Sequence, residues 1–281
     1  MEIFNILSNF SYHVLWNFGV LFIVLMTAII YLFLLPEGKE HTYKKTISFV
    51  VGLIVFFIAL GSPLNILGRL IFRAHMIQML LLLFIAAPLL LYGMKTEGLN
   101  WLVDRFKLHQ FAQKFTNPII SIYIFHALWL LYHVPIVFNF VRIEYGWNYL
   151  TVFFLFFACL ILWMPIFPIM KSSKKLRGKS LHKYCFINVS LFIPMVFIYL
   201  FVPNSLYPIY SDPDLLLTAV TLCLPLGVSI DSLPNNLIET LLPFSPIQEQ
   251  KYSAIILLFC LFVVTSLSVF QLNKRNWLKF R

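Results

Sequence analysis

Histidine, methionine and glutamine side chains stand together where an apolar stretch of the chain begins. The segment Arg73–Met79 reads RAHMIQM, so His75, Gln78 and Met79 share one face of a helix and Met76 lies beside them. Imidazole binds copper, zinc or iron, and thioether sulfur selects the soft Cu(I) ion. The spacing is therefore compatible with a metal site, and the thioethers would favour Cu(I) there. The alternative is that His75 makes a hydrogen bond near the helix end while both methionines only pack.

Two further histidines, His126 and His133, occur in the apolar stretch 118–140. They are seven residues apart, which places them two turns apart on one helix face. His133 precedes Val134-Pro135, and a proline inside a helix bends it because it removes a hydrogen bond and clashes with the preceding turn. A bend frees backbone carbonyls and makes room for an ion or water. We expect His133 to be functional, and for His126 an interhelical hydrogen bond is the favoured interpretation.

Polar residues also precede the last apolar stretch, in the sequence SPIQEQ at 245–250. Ser245, Pro246 and Glu249 form a helix-start pattern. Glu249 and Gln250 are also candidates for the same site as His75. The segment can both start a helix and contribute to the site. The segment LYPIYSDP at 206–213 is turn-forming by composition. It predicts an ordinary turn, with an ordered lid over the site as the alternative.

The composition indicates which structural elements hold these candidate residues in place. Of the 281 residues, 60% are hydrophobic and 11% are charged, against about 25% charged in a soluble domain. A spanning helix needs about 20 predominantly apolar residues. The chain is therefore predicted to be all-α, a polytopic membrane bundle of about seven transmembrane helices in a single domain over residues 1–281. The predicted spans are 15–35, 47–62, 74–93, 118–140, 148–169, 184–203 and 252–272.

The distribution of charge predicts the orientation of these spans. All but four of the 21 lysines and arginines fall in alternate loops or in the C-terminal tail, the exceptions being Arg69, Arg73, Arg142 and Lys251. Because basic loops stay in the cytoplasm, the N-terminus is predicted outside and the C-terminus in the cytoplasm. The net charge of +10 then reflects orientation, and no nucleic-acid partner is expected. The segment 215–230 is predicted to be re-entrant, with an eighth span as the alternative.

Several segments give the chain a family resemblance. It resembles the CtaG family, membrane assembly factors for the caa-type cytochrome c oxidase of Gram-positive bacteria. The AHMIQM and YHVP sequences are the specific part of the match, and the apolar runs between them are common to many membrane proteins. The matching segments, in the family's order, are Ser62-Pro63, 72–93, 117–138, 163–168, 205–214 and 245–250.

The resemblance implies a role in making active oxidase, at the copper stage of subunit II, whose CuA domain lies outside the membrane. His75 matches the family's histidine in AHMxQ, and Met79 stands where many members have a second histidine. His133 matches the histidine before the proline of the fourth span. Glu249 and Gln250 match the start of a DQQ-like motif.

The chain departs from the family pattern after that motif. Lys251 replaces the second glutamine, and Ser253 and Ala254 replace glycines that usually follow. A lysine beside a cation site would repel the ion, so copper binding at this end is in doubt.

The resulting hypothesis is a non-enzymatic assembly factor in the bacterial cell membrane, in contact with the lipid bilayer. Copper would be held or passed on by His75, Met79 and His133. The further candidate ligands are Met76, Gln78, His126, Glu249 and Gln250. The expected partners are subunits of cytochrome c oxidase and a soluble copper chaperone. The alternatives are a small-molecule or metal transporter, whose case is weakened by the scarcity of charge within the spans, and a scaffold that binds no metal.

Overall fold

The computed structural model describes residues 7–8, 10–39, 41–107, 109–110, 114, 116–169, 175–221 and 245–277, with the backbone alone at 102, 145, 220 and 267–277. The described chain is helical and contains no strand. Besides a single helical turn at Tyr12–Leu15, the helices are α1 (Phe18–Leu34), α2 (Tyr43–Gly61), α3 (Pro63–Leu70), α4 (Phe72–Gly93), α5 (Thr96–Arg105), α6 (Pro118–His133), α7 (Pro135–Ile143), α8 (Tyr145–Trp163), α9 (Gly178–Ser190), α10 (Ile193–Phe201), α11 (Pro213–Thr221) and α12 (Pro246–Trp277).

Each predicted span falls on one of these helices or on a pair of them. In the described residues, five helical segments are long and apolar enough to cross a membrane, namely α2, α4, α8, α12 and the continuous pair α9–α10, and the bent pair α6–α7 raises the number to six. The first predicted span corresponds to α1, which is apolar but shorter than these. The helical membrane fold is therefore confirmed, whereas the orientation of the termini stays a prediction. The segment 215–230 begins in α11, and its remainder lies outside the described residues.

The starts of several helices follow from local sequence. Asn17 accepts a hydrogen bond from the Val20 amide, 3.1 Å away, and so caps α1. Ser62 and Asn117 cap α3 and α6 in the same way. In both cases a proline occupies the first helical position, where its missing N–H costs nothing.

Proline also accounts for the bend between α6 and α7. The two helices meet at 77°. Val134 lies between them with φ −63° and ψ 125°, because a residue that precedes proline is driven out of the helical region. The bend predicted at Pro135 is confirmed.

Helix α4 is the centre of the bundle. Its most apolar window is 72% buried, against 28 to 39% for the other four candidate spans. Its middle turns widen into a π-helix at Leu81–Ala86. The Leu83 carbonyl there accepts from the Cys159 thiol at 2.9 Å and the Trp163 indole at 3.1 Å, so α8 is fastened to the widened segment.

A layer of short elements covers one end of the bundle, and we call it the cap. It consists of α3, α7, α11 and residues 207–210, which pack on one another. Residues 208–210 form a single 3-10 turn. Tyr207, Ile209 and Tyr210 are all buried, at most 4% exposed. The segment 206–213 was predicted to be an ordinary turn, with an ordered lid as the alternative. The burial of its residues 207, 209 and 210 agrees with an ordered lid.

The opposite end of the bundle is joined by polar contacts. The Tyr31 hydroxyl donates to the Gly93 carbonyl at 2.6 Å. His41 Nε2 lies 3.3 Å from that hydroxyl and 3.0 Å from Thr46 Oγ1. Lys95 is buried and pairs with an exposed carboxylate at 3.0 Å. These contacts hold the ends of α1 and α4 to the start of α2.

Candidate functional site

His75 on α4 and His133 at the end of α6 lie next to each other beneath the cap. Their ring centroids are 6.3 Å apart. His75 is fully buried and His133 is 6% exposed. The helix bend places His133 here, because α6 ends at His133 and the chain turns away at Val134. The structure thus brings together the two histidines that the sequence singled out most strongly.

One nitrogen of each imidazole has no hydrogen-bond partner among the described residues. His133 Nδ1 donates to the Trp129 carbonyl at 2.8 Å, so a neutral ring carries its lone pair on Nε2, which is unpartnered. His75 Nε2 lies 3.5 Å from the Tyr132 hydroxyl. His75 Nδ1 has no partner in good hydrogen-bond geometry among the described residues, although the Gln78 side chain also interacts with His75. Buried polar atoms are normally bonded, so two such atoms on adjacent rings indicate a site for a ligand.

Aromatic rings enclose the pair of histidines. Phe138 on α7 lies 5.2 Å from the His75 ring and 6.0 Å from the His133 ring, between centroids. Tyr132 lies 5.8 Å from His75 and 4.9 Å from His133. Tyr207 of the cap packs on Phe138 at 4.4 Å, and its hydroxyl donates to the His133 carbonyl at 2.9 Å. The cap therefore closes the site and also satisfies a carbonyl that the bend frees.

The other candidates on α4 divide into two groups. Met76 and Met79 are 0% and 1% exposed and belong to the apolar cluster that contains Trp129 and Phe138. Gln78 instead joins helices, since its amide donates to the Ala59 carbonyl and to the Asn65 side chain, both at 2.9 Å. The shared face of His75, Gln78 and Met79 is thus buried, with the methionines in the apolar cluster and Gln78 also interacting with His75.

His126 has a different environment. Its Nε2 lies 3.2 Å from the Asn188 side-chain oxygen on α9, which is the interhelical hydrogen bond favoured from the sequence. Two helical turns, about 11 Å of rise, separate it from His133. Asn188 also lines a small cavity of about 30 Å³ between α4, α8, α9 and α12, room for one or two water molecules.

Glu249 and Gln250 connect α12 to its neighbours. Glu249 pairs with Arg73 at 3.2 Å, and its second carboxylate oxygen has no partner among the described residues. Gln250 accepts from the Leu206 amide at 3.1 Å and donates to the Tyr199 carbonyl at 3.3 Å. The Gln250 amide therefore joins α10 to Leu206, the residue that precedes the cap segment 207–210, while Lys251 is exposed.

Gly68 and Arg142 were missed by the sequence reasoning, whereas Tyr210 lies in the segment 206–213 that it named as a turn or lid. The Gly68 carbonyl on α3 accepts hydrogen bonds from the Arg142 guanidinium and from the Tyr210 hydroxyl, the latter at 2.9 Å. Arg142 is 1% exposed and also donates to Asn148 at 3.3 Å. Burial raises the pKa of Tyr210, and the charge of Arg142 opposes that rise. Arg142 had a signal in the sequence, because it is one of the four cations outside the basic loops.

A single ion could lie between the two imidazoles. Metal–nitrogen bonds of about 2.0–2.1 Å, added to the radii of two rings, span about 6 Å, which is close to the observed centroid separation. In the described part of the chain, no three His, Cys, Asp or Glu side chains converge on one point. The site therefore offers two nitrogen ligands among methionines and aromatic rings. Which residues bind metal stays a prediction.

The fold and the site define a class: a helical membrane protein with a closed, two-histidine site under a cap at one end of its bundle. The chain belongs to the family of cytochrome c oxidase caa3 assembly factors (Caa3_CtaG), whose family model matches residues 29–278. The resemblance found from the sequence is thereby confirmed. No curated protein and no solved structure matches the chain.

Proposed function

We propose that the protein assists assembly of the caa3 oxidase by holding Cu(I) between His75 and His133 and passing it to the CuA centre of subunit II. The observation that carries the proposal is the pair of unpartnered nitrogens, His75 Nδ1 and His133 Nε2, on adjacent buried rings. Neutral imidazole suits copper, and a nearby thioether favours the reduced ion. Met79, one helical turn from His75, is the candidate thioether.

A site with few ligands suits an ion that must be released. Structural zinc sites enclose the metal with four protein ligands, whereas here two imidazoles lie side by side and any thioether would be a weak third ligand. Such a site exchanges its ion readily with a partner that offers better ligands. This property supports a role in delivery, in which the ion is cargo, and no catalytic step is required.

Loading and release require the cap to move. His75 is completely buried. Phe138 packs on its ring, and Tyr207 and Tyr210 of the cap pack in turn on Phe138. The cap is the part of the protein that a partner meets before it reaches the site. We therefore propose that oxidase subunit II, or a soluble copper chaperone, docks at the cap and displaces residues 207–210.

The test is oxidase assembly in cells whose only copy of the protein carries His75→Ala and His133→Ala. We expect loss of the CuA absorbance and of oxidase activity, with the variant still present in the membrane fraction. His182→Ala is the matched control, because His182 is exposed and its Nδ1 donates to the Gly178 carbonyl of its own helix. Normal CuA in the double variant would refute the metal site.

The same kinds of experiment distinguish the proposal from two other functions. A metal-free scaffold predicts normal assembly in the double variant and no copper on the purified protein. A transporter predicts copper uptake by proteoliposomes that contain the protein alone. The complete burial of His75 supports delivery to a docked partner over transport.

A further inference from the structure

The indole of Trp129 lies against the imidazole of His133. Both side chains are on α6, four residues apart, so they meet on one face of the helix. Their ring centroids are 4.1 Å apart, with the ring planes inclined by 38°. Tyr132 lies farther from His133, at 4.9 Å, and Phe138 lies 5.2 Å from His75. Rings as close as Trp129 and His133 overlap through their faces, so the indole presents a π surface to the site.

The indole N–H shows what tryptophan contributes at this position. Trp129 is 1% exposed, and its Nε1 has no hydrogen-bond partner among the described residues. A buried tryptophan usually finds a partner for its N–H, as Trp163 does on the Leu83 carbonyl. A phenylalanine at position 129 would pack there without an unsatisfied donor. The property that tryptophan adds is therefore its large π face, which attracts cations more strongly than the face of phenylalanine or tyrosine.

An ion bound to His133 would lie beside this face. His133 Nδ1 donates to the Trp129 carbonyl at 2.8 Å, which fixes the imidazole and leaves Nε2 for the ion. An ion bonded to Nε2 at about 2.0–2.1 Å lies about 3.2 Å from the centre of the imidazole, in the ring plane. Because the indole is 4.1 Å away over the face of that ring, the ion would be about 5 Å from the indole centre. Cation–π attraction acts within about 6 Å.

Apolar rings shield the indole from water. Phe125 stacks with it at 6.1 Å, and Phe192 packs against it edge-on at 5.5 Å, between centroids. Phe125 and Phe192 are 0% and 1% exposed. Cation–π attraction is stronger at desolvated sites than at exposed ones, so the indole face can attract an ion that has exchanged its water for imidazole ligands.

We propose that Trp129 is a specificity-determining residue of the copper site, whose indole face contacts a Cu(I) ion held by His75 and His133 and favours it over Zn(II). The inference rests on the proposed copper site and specifies how that site recognises its ion. Cu(I) is soft and accepts contact with π electrons, whereas Zn(II) needs four lone-pair ligands. In the described part of the chain, no third His, Cys, Asp or Glu joins the two histidines. A π contact adds affinity without a metal–ligand bond, so it does not hinder release of the ion.

The test uses purified full-length protein in nanodiscs, produced with tryptophan or with its monofluorinated or trifluorinated analogue. Fluorine withdraws electrons from the π face and changes the ring size little. The Trp129→Phe chain, produced in the same way, is the matched control because it keeps every other tryptophan. We expect Cu(I) affinity, measured by competition with a chromophoric chelator, to fall stepwise by about tenfold across the series. Affinity should not depend on fluorination in Trp129→Phe, and Zn(II) affinity should not change in either chain.

Variants of Trp129 give a second measure. Trp129→Leu should bind one copper with about tenfold lower affinity, and Trp129→Phe should lie between the two because its ring is a weaker cation–π partner. The fluorinated proteins give the result if Trp129→Leu does not fold. Cu(I) affinity that ignores fluorination, or responds equally in Trp129→Phe, would overturn the inference while the copper site stands, and so would a parallel loss of Zn(II) affinity. Absence of copper from the wild-type protein would instead overturn the proposed function.

Discussion

Gly68 is the point at which α3 touches α4, and its replacement by alanine tests the packing that holds His75. A Cβ at this position would lie 2.7 Å from Gln78 Oε1, 3.3 Å from His75 Cα and 3.4 Å from His75 N. The Gln78 side chain cannot simply turn aside, because its amide is bonded to the Ala59 carbonyl and to Asn65. Gly68→Ala therefore forces α3 away from His75 or breaks those hydrogen bonds.

The expected cost follows from these contacts. Overpacking a close contact costs about 1–3 kcal/mol, and alanine recovers about 0.5–1 kcal/mol of helix propensity over glycine. We expect a net loss of about 1–2 kcal/mol in the free energy of unfolding. The Gly68 carbonyl also holds Arg142 and Tyr210, so the shift should also lower copper affinity.

The assay is unfolding by SDS titration of the protein in bicelles, followed by Cu(I) competition with a chromophoric chelator. Gly146→Ala is the control, because nothing lies within 4 Å of a Cβ at that position. We expect Gly146→Ala to leave stability unchanged or raise it by up to about 1 kcal/mol. The reasoning fails if Gly68→Ala is as stable as this control and binds copper with wild-type affinity.

Three further predictions concern other contacts. Gly93→Ala should destabilise the protein more than Gly68→Ala in the same titration, because its Cβ would lie 2.5 Å from the Lys45 carbonyl, a backbone atom; equal stability of the two would contradict this. Tyr207→Phe removes hydrogen bonds to the His133 carbonyl and the Tyr199 hydroxyl and should cost about 1–3 kcal/mol, with the exposed Tyr123→Phe as control. Burial lowers the pKa of His41 from its usual 6.5, against the opposing charge of Glu37, so the unfolded chain binds more protons and stability falls as pH drops below about 6.5. The His41→Gln variant should lose that part of the pH dependence between pH 7.5 and 5, and an identical slope would refute the assignment.

The helices and the bend could be predicted from local sequence. Apolar length fixes where helices form, and a proline after His133 fixes where α6 must end, whatever it packs against. The i, i+3, i+4 spacing likewise placed His75, Gln78 and Met79 on one face, and all three are buried. These properties depend on residues close together in the chain.

The partners of these side chains could not be predicted in the same way. The Gly68 carbonyl meets Arg142, 74 residues away, and Tyr210, 142 residues away. Nothing in the sequence near Gly68 indicates such contacts, because they depend on how the cap folds over the bundle. Gln78 illustrates the same limit, since its residue type suggested a ligand while its position beside Ala59 and Asn65 makes it a connection between helices.

The most direct test of the central claim is the amount of copper bound per purified protein, measured by mass spectrometry after anaerobic loading with Cu(I) and desalting. We predict one copper per wild-type chain and none on the His75→Ala, His133→Ala double variant. His126→Ala should keep its copper, because the partner of His126 is Asn188. Equal copper on the wild-type protein and the double variant, or none on either, would contradict the assignment of a copper site to His75 and His133.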